Sequence, residues 1–504
     1  MALLLCSDAL IAGATSRPAP PQTRPAGART SDKLSVTEHE LSIEGQALRY
    51  RATTGYLPIK DESGRERANF FFIAYEKLPV AAPASRRITF VFNGGPGAAA
   101  VWLHLGALGP KRVALRNAQG DIPVPPYKLV SNPQTWLDLT DLVFIDPVGT
   151  GYSRPAAGES GQQFYGVRED VASVADFIRL YITRYERWLS PKFLAGESYG
   201  TARAAALSEF LLDRYGIALN GIVLISCVLN FQTIQLGDGN DLPCPLYLPT
   251  YAAIAWFHGK LSGDLQKDLE KTLHEVEQFA SGEYAAALNK GSALGADEQK
   301  WIVDRLSRYT GLPGQLVARC NLRISPDTFR REILSDVRQI VGRYDGRIVG
   351  FDLHPIAGWV EYDPSLSGYL PAYSATFNDY VRRDLHYEND LPYEALTDRV
   401  HPWNFARGGA RGNAGYLNVT EDLRSAMAKL PHLKVLVAAG YFDLATPYMS
   451  ANYTVNHLDL SPALRANVVQ TYYRGGHMLY HNQESLVKLK LDAKAFIENA
   501  VSGK

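Results

Sequence analysis

Sulfur is scarce in this chain: four cysteines and four methionines stand among 504 residues. Cys6, Cys227, Cys244 and Cys320 are scattered, and no two have CxxC spacing. That excludes a zinc ribbon, a dithiol redox motif and a disulfide scaffold. A Cys244–Cys320 bridge and a pair of buried free thiols both stay open. Charge of either sign is not in excess, with Lys+Arg and Asp+Glu at 52 each. The balance removes any electrostatic reason to expect nucleic acid or an anionic membrane as partner. No apolar run reaches the length of a membrane-spanning helix, and there is no internal repeat. No metal and no cofactor is expected.

Aromatic residues are plentiful, 28 Tyr and 19 Phe, which suits either a lined cleft or a large core. The N-terminus reads two ways. Met1 to Ala14 is mostly apolar but lacks a basic start and contains Asp8. Pro18 to Thr30 is rich in Pro, Ala and Arg, the composition of a disordered linker. A periplasmic or secreted location is the expectation and a cytoplasmic one the alternative.

Folded sequence is expected from Leu34. Glu40 to Tyr50 alternates like a strand, Gly55 to Ile59 follows a turn, and Asn69 to Tyr75 reads as a further strand, together a small antiparallel set. Buried strands follow at Arg87–Phe92, Leu142–Asp146, Phe193–Ala195 and Gly221–Ser226. Val171, Val174, Ile178, Ile182 and Tyr185 share one face of a helix. The rhythm breaks near Asn230 and resumes with strands at Lys434–Ala439 and Val468–Tyr473 and a helix over Glu484–Asn499. Alternating short strands and helices predict a mainly parallel sheet covered on both faces. The expected organisation is a disordered segment over 1–33, a core in two parts at 34–229 and 405–504, and an inserted, mostly helical cap at 230–404.

Gly196-Glu197-Ser198-Tyr199-Gly200 lies between the apolar Phe193–Ala195 and an Ala/Leu-rich helical stretch, Thr201 to Leu212. A serine between small residues on a strand-to-helix turn is the nucleophile elbow of an α/β-hydrolase. With 42 glycines in the chain, the pattern also arises as a plain tight turn, so the rest of the chain has to decide. In that fold an acid and a histidine follow the serine, each on a loop after a late strand. Strand Lys434–Ala439 runs into Gly440-Tyr441-Phe442-Asp443, and strand Val468–Tyr473 into Gly475-Gly476-His477. Asp443 and His477 are therefore the expected partners of Ser198. Asp146 precedes the serine and reads as a loop anchor, and His481 lacks the flanking glycines. His477 would take the serine proton, and Asp443 would hold the imidazole. The amide of Tyr199 and one from Asn93-Gly94-Gly95-Pro96-Gly97 would receive the oxyanion, each such donor being worth roughly 3 kcal/mol in the transition state.

Four segments in order, Asn93–Gly97, Gly196–Gly200, Gly440–Asp443 and Gly475–Met478, resemble those of the serine carboxypeptidase family. Leu108-Gly109-Pro110, Asn132-Pro133 with Trp136, and Asp146–Ser153 add to the match, which runs from about Leu34 to the C-terminus and is weakest across the cap. The resemblance implies an α/β-hydrolase with a helical insertion that removes C-terminal residues from peptides at acid pH. It implies Ser198, Asp443 and His477 as triad, Gly95 and Tyr199 as oxyanion hole, and Asn93, Gly94 and Glu197 as substrate-binding residues. Asn93 and Glu197 match groups that bind the substrate's terminal carboxylate, which Glu197 does while protonated.

The chain also departs from the family. Ala107 stands where a second glutamate is usual, Val91 in place of a tryptophan, Ala98-Ala99-Ala100 in place of Cys-Ser-Ser, and Thr446 in place of a cysteine. The lost cysteines suggest a bacterial-type branch. Without a carboxylate at 107, the pKa of Glu197 is expected to be less elevated and strict exopeptidase specificity relaxed. An esterase or acyltransferase with the same triad is the alternative. A peptide is the expected partner, no nucleic acid and no membrane span are expected, and a homodimer is left open.

Overall fold

The computed structural model describes residues 34–355, 359–406 and 415–502, so the reading of 1–33 falls outside the described residues. The chain begins with a hairpin, β1 (Ser35–Ile43) and β2 (Gln46–Lys60), closed by Glu44 and Gly45 at φ 51° and 79°. Two consecutive positive φ values are the mark of a two-residue hairpin turn whose twist matches its strands. The expected strand over Glu40–Tyr50 is therefore two strands, and Gly55–Ile59 belongs to β2. Glu-Gly is a weaker turn signal than Asn-Gly, and the alternation on each side masked it.

The main sheet continues with β3 (Glu66–Lys77), β4 (Ile88–Phe92), β5 (Asp141–Ile145), β6 (Lys192–Glu197), β7 (Gly221–Ile225), β8 (Lys434–Gly440) and β9 (Val468–Tyr473). Their order across the sheet is β1-β2-β3-β5-β4-β6-β7-β8-β9, with the short strand Arg154–Pro155 pairing on β3 to make ten. From β5 to β9 every pairing is parallel, while β1, β2 and β3 are antiparallel additions. The chain moves outward from β4 to β5 and then returns to place β6 on the other side of β4. That reversal is a topological switch point, and in such sheets the crevice beyond the carboxyl ends of the two strands is where ligands bind.

Both faces of the parallel strands β4 to β8 are buried, which is why these strands read as near-continuous apolar runs, while the edge strand β9 is partly exposed. Phe90, Phe92, Leu194, Ile222, Leu224, Val435 and Val437 point to one face, against α1 (Val167–Arg184) and α2 (Tyr199–Tyr215). Val91, Phe193, Ala195, Val223, Ile225, Leu436 and Ala438 point to the other. The alternation has the period of two that the pleat imposes.

Between β7 and β8 the chain leaves the sheet. It forms α3 (Pro243–Phe257), α4 (Leu269–Phe279), α5 (Ala296–Thr310), a small hairpin of Gln339–Val341 with Val349–Phe351, and α6 (Pro364–Arg383). Helices α3 to α5 share a hydrophobic cluster of their own, which Phe442 and Leu444 from the loop after β8 join. Helix α6 instead buries Tyr369, Tyr373, Phe377 and Tyr380 in the cluster beneath the second face of the sheet. Helices α7 (Thr420–Lys429), α8 (Tyr448–Asn456) and α9 (Gln483–Val501) complete the chain, and Leu486, Leu489 and Phe496 of α9 close that second face. Cys227, Cys244 and Cys320 are free thiols, so the bridge left open between Cys244 and Cys320 does not form. Among the described residues no helix is long and apolar enough to cross a membrane.

Phe90 is 1% exposed and meets Tyr181 of α1 edge to face at 5.7 Å. Replacing Phe90 with alanine is expected to destabilise the fold by about 3–5 kcal/mol in urea unfolding. The same truncation at Leu189, which is 78% exposed, should stay within about 0.5 kcal/mol of wild type.

Candidate active site

Ser198 stands between the last residue of β6 and the first of α2, at φ 61° and ψ −130°. A non-glycine residue in this region carries of the order of 1–3 kcal/mol of strain and persists only where its surroundings enforce it. Here they do. The Ser198 N–H donates to Ile225 O at 3.0 Å, and its carbonyl accepts from Thr201 N–H at 2.8 Å and Thr201 Oγ1 at 2.6 Å. The flanking glycines serve closeness rather than φ. A Cβ on Gly196 would lie 2.3 Å from Gly200 O, and one on Gly200 would lie 3.0 Å from Asn93 O.

The loop after β4 packs directly on this turn. A Cβ on Gly94 would stand 2.4 Å from Tyr199 N, and Gly95 has φ +96°. Tyr199 N–H is the first amide of α2, and the first amides of a helix have no partner within it. Asn93 is 1% exposed; its Oδ1 accepts from Leu103 N–H at 3.1 Å, which directs Nδ2 to donate to Glu197 Oε1 at 2.7 Å. The other carboxyl oxygen of Glu197 is buried with no hydrogen-bond partner, and the buried Tyr480 hydroxyl stands close by yet outside hydrogen-bonding geometry. Burial pushes the Glu197 carboxyl up to about 7, opposed by the positive charge of His477.

His477 and Asp443 meet at the carboxyl ends of β9 and β8. His477 Nδ1 lies 2.7 Å from Asp443 Oδ2, with Asp443 0% exposed. The amides of Ala445 and Thr446 donate to Asp443 Oδ1 at 2.8 and 3.0 Å, and Thr446 Oγ1 donates to Oδ2 at 2.7 Å. Burial disfavours the charged imidazole of His477, but the Asp443 carboxylate overcomes it, helped by Glu197, and the pKa is raised. Gly476 and Gly440 are again places of close approach: a Cβ on Gly476 would lie 2.4 Å from Tyr344 O, and one on Gly440 would lie 2.2 Å from Gly476 O.

Asn93, Gly94, Gly95, Glu197, Ser198, Tyr199, Thr446 and His477 open on one cleft. Val228, Phe231, Ile234, Arg343, Tyr344, Leu366 and Leu396, all from the region between β7 and β8 apart from its ends, line it as well. Asp146 takes no part in the cleft. It accepts from Ala100 N–H at 2.9 Å and Tyr393 Oη at 3.3 Å, fixing the loop after β4, and burial raises it to about 7. His481 bonds to Tyr373 Oη at 2.8 Å, and burial lowers it to about 3. Among the described residues no cluster of His, Cys, Asp or Glu could hold a metal ion.

The model of the serine carboxypeptidase family matches residues 43–485. The chain belongs to the serine carboxypeptidase family. Serine carboxypeptidase-like 26 of Arabidopsis thaliana is 24% identical over 423 residues, covering 81% of this chain and 77% of that protein. Carboxypeptidase sxa2 of Schizosaccharomyces pombe is 22% identical over 369 residues, covering 71% of this chain and 61% of its own. The crystal structure of Kex1(delta)p, a prohormone-processing carboxypeptidase from Saccharomyces cerevisiae, aligns with a TM-score of 0.52 at 17% identity over 89% of this chain and 90% of that one, which shows a shared α/β-hydrolase fold. The protein is a serine-type carboxypeptidase by family, a hydrolase of peptides.

Sequence reasoning missed three contributors of this carboxypeptidase cleft. Thr446 was noted for a cysteine it replaces, whereas its hydroxyl holds Asp443. Arg203, 2% exposed in α2, pairs with Asp170 at 2.7 Å and donates to Asn93 O at 2.5 Å, tying helix, loop and turn together. A lone arginine in the Ala-rich run Thr201–Leu207 was the available signal. Tyr344 accepts the His477 N–H at 2.5 Å, and nothing local marked it. The expectation that Ala107 leaves Glu197 less elevated rested on a missing charged neighbour. With alanine at 107, burial is the first cause of the upward shift at Glu197.

Glu197 keeps its proton up to about pH 7 in the folded chain, against an ordinary value of 4.5. The folded state therefore binds more protons than the unfolded one across that interval. This part of the stability is full below the ordinary value, falls as pH rises, and is gone above about 7. Urea unfolding followed across this interval should show Glu197→Gln with a flatter pH dependence than wild type.

Proposed function

We propose that Ser198, His477 and Asp443 form the catalytic triad of this carboxypeptidase and that it works through an acyl-enzyme. His477 removes the Ser198 proton as Oγ attacks the scissile carbonyl, then returns it to the leaving amine. Asp443 fixes the tautomer through Nδ1 and offsets the charge on the imidazolium. The amides of Gly95 and Tyr199 donate to the oxyanion. Water then releases the shortened peptide by the same route in reverse. The observation that carries this reading is the 2.7 Å contact of His477 with a buried Asp443 beside a strained Ser198 on the same cleft.

Asn93, Gly94 and Glu197 receive the substrate's terminal carboxylate. The orphaned oxygen of Glu197, protonated below about pH 7, can donate to that group, whereas ionised Glu197 would repel it. Ala107 favours a second reading, an esterase or acyltransferase of the same fold, because a one-carboxyl clamp selects less strictly for a free terminus. The zero net charge supports peptide over nucleic acid as partner. The apolar Met1–Ala14 supports export to the periplasm or medium, which cell fractionation would check.

Digestion of a mixed peptide pool followed by mass spectrometry should give ladders shortened from the C-terminal end alone, and Ser198→Ala should abolish them. Ester turnover without peptide ladders would favour the second reading. For free-acid peptides KM should rise as pH climbs through about 7, where Glu197 ionises, while an ester lacking the carboxylate should not show this rise. On the acid side kcat should fall as His477 takes up a proton.

A further inference from the structure

Arg343 and His477 are the basic residues among the described lining of the cleft, and Glu197 is the acid. Most of the other side chains there are apolar, including Trp102, Phe231, Leu366 and Met478. Arg343 comes from the region between β7 and β8, and its backbone is fixed to both catalytic loops. Leu444 N–H donates to Arg343 O at 3.0 Å, and His477 N–H donates to the neighbouring Tyr344 O at 2.5 Å. Gly346 N–H donates to Phe442 O at 3.0 Å. The arginine is thus held on the Asp443/His477 side of the cleft, across the carboxyl ends of the strands from Asn93 and Glu197.

Its guanidinium has no ion pair among the described residues and rests over the Tyr344 ring at 5.7 Å. The acids around it are engaged elsewhere. Asp363 takes the Arg343 amide and Arg330 on one oxygen, and Leu366 N–H and Ser365 on the other. Asp345 pairs with Arg347 at 2.6 Å. Asp443 is occupied by His477, Thr446 and Ala445. An unpaired arginine on open surface is commonplace. Arg343 is itself exposed, but it lines the cleft from a segment fixed to both loops, and there its planar donor fork has no ion pair of the protein's own and matches a carboxylate in two-pronged geometry.

We propose that Arg343 determines specificity by binding the side-chain carboxylate of an acidic substrate residue next to the scissile bond, an inference that rests on the cleft being the peptidase site. Asn93 and Glu197, on the opposite side, are left for the terminal carboxylate. The test compares full-length wild type, Arg343→Gln and Arg343→Lys on blocked dipeptides carrying Glu or Gln at either position flanking the scissile bond, with an uncharged ester as control. Wild type should prefer Glu over Gln at one position. Arg343→Gln should raise KM for that substrate roughly 10- to 100-fold, as loss of a charge-assisted hydrogen bond does, with the Gln peptide and the ester unaffected, and Arg343→Lys should recover part of the loss. Equal losses on Glu, Gln and ester substrates, a loss that follows the free terminus rather than the side chain, or no Glu preference in wild type would each overturn it. A fluorophosphonate probe separates this failure from that of the parent reading: wild type unlabelled at Ser198 would remove the peptidase site itself and the proposal with it.

Discussion

The site depends on two turns lying closer together than side chains allow. The loop after β4 and the turn after β6 meet at the switch point of the sheet, and a Cβ on Gly94, Gly196 or Gly200 would lie 2.4, 2.3 or 3.0 Å from backbone atoms. Only because those atoms are missing can Ser198 hold φ 61° with the amides of the loop beside it. The buried Asn93–Glu197 hydrogen bond and the reach of Arg203 to Asn93 O lock the same junction from the side. An interior packed to the density of a crystal does not relax around an added methyl, so the arrangement tolerates little change at these glycines.

The second pair of loops repeats the device. Gly440 and Gly476 approach each other as β8 and β9 end, and this brings Asp443 to His477. Three donors then hold the Asp443 carboxylate, and burial removes water that would compete with the imidazole. At Glu197 burial favours the neutral acid. The two carboxyl groups differ in their partners: Asp443 is saturated with donors beside a histidine, while Glu197 keeps one orphaned oxygen.

Much of the fold could be read directly. Strands such as Ile88–Phe92 and Gly221–Ile225 are apolar runs of strand length bounded by turns, and the helix through Val171 and Ile182 has an unbroken apolar stripe. The hairpin at Glu44-Gly45 was not legible, because alternating residues on both sides of a weak turn signal look like one strand. Ser198, Asp443 and His477 were legible because each follows a strand in a recognisable local frame. Thr446, Arg203 and Tyr344 were not, because their importance comes from what they touch rather than from their neighbours in sequence.

The amino-acid order alone determined the alternation of buried strands and helices, the glycine-framed serine, acid and histidine in succession, and hence the likeness to the family. These are local properties: periodicity, turn residues and spacing along the chain. Tertiary structure alone decided which carboxyl oxygen goes without a partner, that Cys244 and Cys320 stay unbridged, and that a segment inserted between β7 and β8 returns to bring Arg343 beside His477. Arg343 and His477 are separated by more than a hundred positions, and no local pattern encodes a contact whose geometry is set by how distant elements pack.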